Sequence, residues 1–214
     1  MGTVVLMGYS TSGKSTILRD MEKNFGDCLQ TIDTDDEVAL DFDGHIYNVY
    51  LRLTNVGNRQ KALDHIKKKE EQLLANLYLT NTPRLMAAGP ALPSRTEWNS
   101  FVKRVNPICF YLEITAREVY DGLRWRRCRH LELLKIRDDR NFGCWDEGTT
   151  TKYKNGRWVV VSEEAIANIE REMEPLVSIY KTYCNDRKFS VCEIRDCKET
   201  KEELYRQIKA SLGL

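Results

Sequence analysis

The sequence predicts an α/β fold in which helices cover both faces of a sheet of about five parallel strands, forming one domain over residues 1–214. Three observations predict it. Short apolar or β-branched runs alternate with amphipathic stretches, the pattern of a parallel sheet wrapped by helices. A glycine-bounded run, Gly8-Tyr-Ser-Thr-Ser-Gly-Lys-Ser15, falls between the first predicted strand and the first predicted helix. The length of 214 residues suits one well-cored domain and is short for two.

The elements follow in order. Thr3–Met7 is a short β-branched run, a buried first strand, and Lys14–Asn24 is a helix with Ile17, Leu18 and Met21 on one side. Cys28–Ile32 is a second strand running into the acidic cluster Asp33-Thr34-Asp35-Asp36. Asp43-Gly44 between alternating segments predicts a hairpin of Val38–Phe42 with His45–Leu53. A Lys- and Glu-rich helix spans about Arg59–Leu79, and a third strand, Arg84–Ala88, breaks at Gly89-Pro90. A helix near Thr96–Val105 takes Ser94 or Thr96 as its cap. Ile108–Ile114 has the strongest central-strand pattern, and Thr115 caps a helix running through residues 117–136. Residues 138–160 are polar and glycine-containing, long enough for a functional loop, with a hairpin predicted around Asn155-Gly156. A helix from Ser162 to about Cys184, a strand Phe189–Ile194 and a helix Lys201–Leu212 complete the chain.

Composition narrows the function. With 42% hydrophobic and 30% charged residues the chain is globular, not disordered. Its 33 basic residues are balanced by 32 acidic ones, which disfavours a dedicated nucleic-acid binder while leaving room for a local basic patch. No apolar run approaches the roughly 20 residues that span a bilayer, and Met1–Met7 is too short for a signal peptide. Seven cysteines, an odd number without a Cys-x-x-Cys pair, fit a reducing compartment. A cytoplasmic protein is expected.

The run Gly8-x-x-x-x-Gly13-Lys14-Ser15 has the parts that phosphate binding needs. Glycines let backbone N–H groups curve around a β-phosphate, and the following helix adds its positive end. Lys14 reaches the β- and γ-phosphates as a point charge, and the Ser15 hydroxyl takes a Mg²⁺ position. ATP and Mg²⁺ are the expected cofactors, with Gly8, Ser10, Thr11, Ser12, Gly13, Lys14, Ser15 and Thr16 around them.

Asp33-Thr34-Asp35 falls at the carboxyl edge of the predicted sheet, where doubly wound folds bind ligands. One carboxylate can serve Mg²⁺ while the other takes an acceptor hydroxyl and its proton. Arg95 lies just past the end of the third strand, where an acceptor pocket forms, and is a candidate ligand. Arg124-Trp-Arg-Arg-Cys-Arg129 puts four guanidinium groups within two helical turns. Such a group can neutralise a transferring phosphoryl, form a solvated basic face, or meet an anionic partner.

In this order of features the chain resembles shikimate kinase and its relatives within the nucleoside-monophosphate-kinase-like P-loop group, from Thr3 to about Leu212. The resemblance is carried by Gly8–Thr16, Asp33-x-Asp35, Leu85-Met-Ala-Ala-Gly89, Phe110-Tyr-Leu-Glu-Ile114 and the Arg-rich segment. It implies a three-layer P-loop NTPase fold with strand order 2-3-1-4-5 and a lid at about residues 124–160. It also implies a kinase that moves the γ-phosphate of ATP to a hydroxyl of a small metabolite. Asp33 would then serve Mg²⁺ with Ser15, and Asp35 would bind the acceptor hydroxyl. Lys67 and Gly89 would line the acceptor pocket, Arg126 and Arg127 would act from the lid, and Arg195 would frame the adenine. The glycine run of the family is reduced here to Gly89-Pro90, its Arg-Pro-Leu-Leu motif is missing, and Met173-Glu-Pro-Leu stands where a second acceptor arginine is expected, with Arg171 nearest. The expected acceptor is therefore not shikimate. A nucleotide or polynucleotide kinase, or an ATP-binding regulator without acceptor chemistry, are the alternatives.

Overall fold

Strand β1, Thr3–Met7, is buried along its whole length and sits at the centre of a five-stranded parallel sheet. The computed structural model describes residues 2–42, 49, 59–79, 81–122, 152–154, 157–159, 163–184 and 187–214. The other strands are β2 (Gln30–Asp33), β3 (Arg84–Ala87), β4 (Ile108–Glu113) and, after a separate hairpin of β5 (Lys152–Lys154) and β6 (Arg157–Val159), β7 (Lys188–Ser190). The sheet runs β2-β3-β1-β4-β7, so its five strands follow the expected order 2-3-1-4-5. Each parallel pair requires a crossover. Helices α1 (Lys14–Phe25), α2 (Thr34–Val38), α3 (Arg59–Asn76), α4 (Trp98–Val105), α5 (residues 116–122), α6 (Glu163–Cys184), α7 (Val191–Asp196) and α8 (Lys198–Leu212) occupy the connections and the C-terminal end.

Alternation along the strands divides the core in two, because successive side chains of a strand point to opposite faces. Val4, Leu6, Leu85, Phe110 and Leu112 pack with Ile17 and Leu18 of α1 and Leu204 and Ile208 of α8. Val5, Met7, Met86 and Tyr111 pack on the other face with Leu74 of α3, and with Trp98 and Phe101 of α4. Helix α6 serves both clusters, Ile169 and Met173 in the first and Tyr180 and Cys184 in the second. Each fully buried side chain of this kind contributes about 1.5–3 kcal/mol of transfer free energy. The same strands that fill the core therefore hold the loops at their carboxyl ends.

Most elements fall where the sequence puts them, and the differences have local causes. Val38 closes the short helix α2 and Leu40–Phe42 form a 3₁₀ turn, in place of the first half of a hairpin. Asp33 starts that helix by accepting a hydrogen bond from the Asp35 N–H on its Oδ1, 3.1 Å. The second half of the predicted hairpin, His45–Leu53, lies outside the described residues apart from Val49. Neither Ser94 nor Thr96 caps α4; its N-cap is Glu97, with no side-chain cap bond. Thr115 does cap α5, in a reciprocal box: Glu118 N–H donates to Thr115 Oγ1 (3.2 Å) and Thr115 N–H to Glu118 Oε2 (2.8 Å). Strand β7 ends at Ser190, four residues early, and Val191–Asp196 turn into a helix that brings Arg195 back toward β1's end. Lys154 pairs with Arg157 across Asn155-Gly156, the expected two-residue hairpin connection. Arg124, Arg126, Arg127 and Arg129 lie outside the described residues, as does most of the stretch read as a lid.

Candidate active site

The connection from β1 to α1 makes a tight hollow. Gly8 (φ 152°), Thr11 (69°) and Gly13 (91°) all have positive φ. A Cβ on Gly8 would lie 2.7 Å from the Leu112 carbonyl oxygen and 2.8 Å from Ser12 Oγ, so only glycine fits there. Gly13 is the N-cap of α1, and no side chain caps that helix, so its first-turn amides are not consumed by a capping group. Lys14 is buried, and its Nζ donates to the carbonyls of Gly8 (2.8 Å) and Tyr9 (3.1 Å) and to Ser12 Oγ (3.4 Å). A cation thus spans the hollow in which positive φ and a helix start direct backbone N–H groups. That is the arrangement that holds a polyphosphate.

Two cavities share this loop as a wall. The smaller, about 30 Å³, lies between the loop and the ends of β2 and β3, where Ser10, Lys14 and Ser15 face Asp33, Asp35 and Pro90. Thr11 and Gly13 line both it and the larger cavity, about 490 Å³, whose far side is formed by Asp20, Ile194, Arg195, Lys201 and Tyr205. A volume of that order accommodates a nucleoside. Arg195 Nη2 donates to the Thr11 carbonyl at 2.9 Å, so the residue expected beside the base reaches the phosphate loop itself. Tyr205 Oη donates to Asp20 Oδ2 at 2.7 Å and fixes α8 against α1 at the cavity floor.

Ser15 and Asp33 bring a hydroxyl and a carboxylate to the same small cavity. Asp33 spends Oδ1 on the Asp35 N–H, and its other oxygen remains for a ligand. An all-oxygen pair of this kind fits Mg²⁺, which keeps several waters and takes its remaining ligands from phosphates. Among the described residues no group of three or more His, Cys, Asp or Glu could hold a metal ion, and a nucleotide-borne Mg²⁺ needs none. Crowding of carboxylates registers at Asp36, whose pKa is raised to about 6 by desolvation first and then by repulsion from Asp33 and Asp35.

Gly89 joins this pair to a second group of charges. Its N–H donates to Thr34 Oγ1 at 2.7 Å, and a Cβ there would lie 3.0 Å from both Asp35 Oδ1 and Glu70 Oε1. Glu70, 3% exposed, accepts a hydrogen bond from Arg95 Nε on its other oxygen at 2.5 Å. Burial pushes the Glu70 carboxyl up to about 7 despite the opposing pull of Arg95. Tyr180 of α6 donates to the Pro90 carbonyl at 2.6 Å and holds the same turn from behind. The expected residues Asp35, Gly89 and Arg95 therefore come together. Lys67 does not join them in the interior; it is exposed on α3.

Glu70 and Gly122 were not apparent from sequence. The run Lys67-Lys-Lys-Glu-Glu reads as a solvated face, yet Ala62, Ile66, Glu70 and Leu74 recur every four residues and all are buried. That spacing was the available signal. Gly122 sits against the phosphate loop, where a Cβ would meet the Thr11 side chain at 2.7–2.9 Å. Gly122→Ala is expected to displace Thr11, costing about 1–3 kcal/mol of stability and about tenfold in nucleotide affinity. Thermal unfolding and titration with a fluorescent ATP analogue check both, and unchanged nucleotide affinity would refute the contact's importance.

No protein-family model matches the chain, and no curated protein matches it in sequence. Solved structures do match. The shikimate kinase of Acinetobacter baumannii, in complex with shikimate, superposes with a TM-score of 0.61 at 13% identity, over 100% of this chain and 94% of that one. The chain has the shikimate kinase fold. The shikimate kinases of Bacteroides thetaiotaomicron (TM-score 0.56, 15% identity, 100% and 99% covered) and Aquifex aeolicus (0.52, 17%, 99% and 96%) agree. In this chain the loop from Gly8 stands at the end of the central strand β1, and Asp33 at the end of β2, with Asp35 just after it, lies beside that loop. At such low identities the shared property is the fold, and the chemistry must be read from this chain's own residues.

Proposed function

We propose that the protein is a cytoplasmic ATP-dependent phosphotransferase that moves the γ-phosphate, with Mg²⁺, to a hydroxyl of a small metabolite other than shikimate. The observation that carries this reading is the single cavity in which Lys14 and Ser15 face Asp33 and Asp35 across a short gap. Lys14 and the loop amides hold the β- and γ-phosphates, and the nucleoside lies in the larger cavity against Arg195. Ser15 and Asp33 would hold Mg²⁺, which would supply charge neutralisation on the phosphates during transfer. Asp35 orients the acceptor hydroxyl and receives its proton as the oxygen attacks the γ-phosphorus, while the bond from that phosphorus to the β–γ bridging oxygen breaks and ADP leaves. Arg126 and Arg127 are the chain's candidates for neutralising the transferring group. No helix among the described residues is long and apolar enough to cross a membrane.

The test is Asp35→Asn in an ATP-consumption assay against a panel of hydroxylated metabolites. ATP affinity is expected to stay within about twofold while kcat falls about 10²–10⁴-fold, the range for a removed general base. Wild-type ATP binding with no turnover on any acceptor would favour a regulator instead. Turnover confined to phosphorylated acceptors would favour a nucleotide kinase.

A further inference from the structure

The larger cavity sorts its lining in a way that bears on which nucleotides it accepts. Ile17 and Val191 line it as buried apolar groups. Its described polar side chains beyond the phosphate loop are open to water or already paired. Thr16 is exposed, and the side chains of Asp20, Lys201 and Arg195 are 44%, 52% and 49% exposed. Tyr205 spends its hydroxyl on Asp20 Oδ2, and Lys201 Nζ stands 3.8 Å from the same oxygen. A site rejects a wrong base strongly where that base leaves a desolvated donor or acceptor unpaired. On this side of the cavity no described polar group is both desolvated and unpaired, so water can serve Asp20 and Lys201 whichever base edge arrives. Arg195 differs, because its plane is anchored. Nη2 donates to the Thr11 carbonyl at 2.9 Å, and Nη1 forms an ion pair with Glu118 Oε1 at 4.0 Å. That oxygen is buried and has no hydrogen-bond partner among the described residues, whereas Oε2 accepts from the Thr115 N–H and hydroxyl, both at 2.8 Å. The donors of a guanidinium lie in its plane, so partners at both Nη groups fix the tilt of that plane and leave its flat face to a base. Every base has a π face, so stacking of this kind tolerates a change of base.

We propose that the cavity takes a purine nucleoside triphosphate by the face of its base, against a guanidinium that Glu118 holds in position, and so accepts GTP and ITP nearly as well as ATP. This rests on the phosphotransferase reading for the assignment of the cavity to a nucleoside, but its test does not depend on turnover. Glu118 is a positioning residue, which acts on the nucleotide through Arg195.

Four probes separate the base from the phosphates: ATP, GTP, ITP and inorganic tripolyphosphate, each with Mg²⁺. Dissociation constants are measured on the full chain, without acceptor, by displacement of a fluorescent ATP analogue. The three nucleotides are expected to bind within about tenfold of one another, and tripolyphosphate at least about tenfold more weakly than any of them. Glu118→Gln keeps the cap of α5, since a glutamine oxygen also accepts from Thr115, and removes the charge beside Arg195. It should weaken all three nucleotides about fivefold and tripolyphosphate less than twofold. Arg195→Lys keeps the charge and loses the plane, and should weaken the nucleotides about tenfold, again with tripolyphosphate little changed. A spread beyond tenfold among the nucleotides overturns the reading by face, as does tripolyphosphate that binds as tightly as ATP. A Glu118→Gln protein that keeps wild-type nucleotide affinity, or that loses tripolyphosphate as much as ATP, overturns the role given to Glu118. Failure of every nucleotide to bind overturns this proposal and the phosphotransferase reading together. Even binding of the three purines with no transfer from any of them would leave the proposal standing and count against the phosphotransferase reading alone.

Discussion

Lys14→Met is expected to reduce kcat/KM for ATP-dependent phosphoryl transfer by at least about 10³-fold, roughly 4 kcal/mol of transition-state stabilisation. The ammonium is held over the Gly8 and Tyr9 carbonyls at 2.8 and 3.1 Å. Charge on the β–γ bridge grows during transfer, so a cation fixed there acts more strongly on the transition state than on bound ATP. Methionine keeps the length of the side chain and removes its charge and donors. The two carbonyls lose a partner, which costs about 1 kcal/mol of folding stability and leaves the protein folded. Lys14→Arg is not expected to rescue, because a planar fork replaces a compact charge in a narrow space. A coupled ATP-consumption assay with thermal unfolding as the control decides the matter. Transfer surviving within tenfold would remove Lys14 from the mechanism.

The second large effect is on stability. Arg95→Leu should cost about 3 kcal/mol at pH 8, since it strands a buried carboxylate, and about 1 kcal/mol or less at pH 5. The sign follows from Glu70. Its folded pKa of about 7 stands above the ordinary 4.5, raised by desolvation first and by Asp35 and Glu71, and held down only by Arg95. A group raised in this way contributes its stability in full below about pH 4.5, and loses it as pH climbs through 7. Without Arg95 the pKa rises further, so the neutral form is tolerated at pH 5 while the charged form is penalised more heavily at pH 8. Urea unfolding of wild type and variant at the two pH values measures the difference. Equal losses at both would mean that packing of Arg95, and not its charge, supports the fold.

How much of this could be read from sequence varied with how local the determinants were. β1, the loop after it and α1 are specified by adjacent residues, and they fall where the sequence put them. Asp33 and Asp35 reach the phosphate loop because β2 lies two places from β1 in the sheet with β3 between, a consequence of strand order. The Glu70–Arg95 pair joins residues from α3 and the turn before α4, and neither segment carries a mark of the other. The resemblance alone put Lys67 in the acceptor pocket, whereas helical phase places Glu70 inward with Ile66 and Leu74 and leaves Lys67 exposed. Ser190 ended β7 early for a similar reason, since Glu193, Arg195 and Asp196 suit a short exposed helix better than a buried strand.

The cavity beside Arg195 and Tyr205 has a consequence for synthesis on the ribosome. Apart from Asp20, its floor and far side come from residues 191–205, while the loop opposite ends at Ser15. Gly2 is equally bound to the other end, since a Cβ on it would clash with the Ser211 carbonyl. The loop therefore leaves the exit tunnel well before the wall opposite it. A nascent chain stalled before residue 191 would display the loop without the surface to which we assign the nucleoside, and on that assignment nucleotide would be unable to assist folding until translation had passed that point.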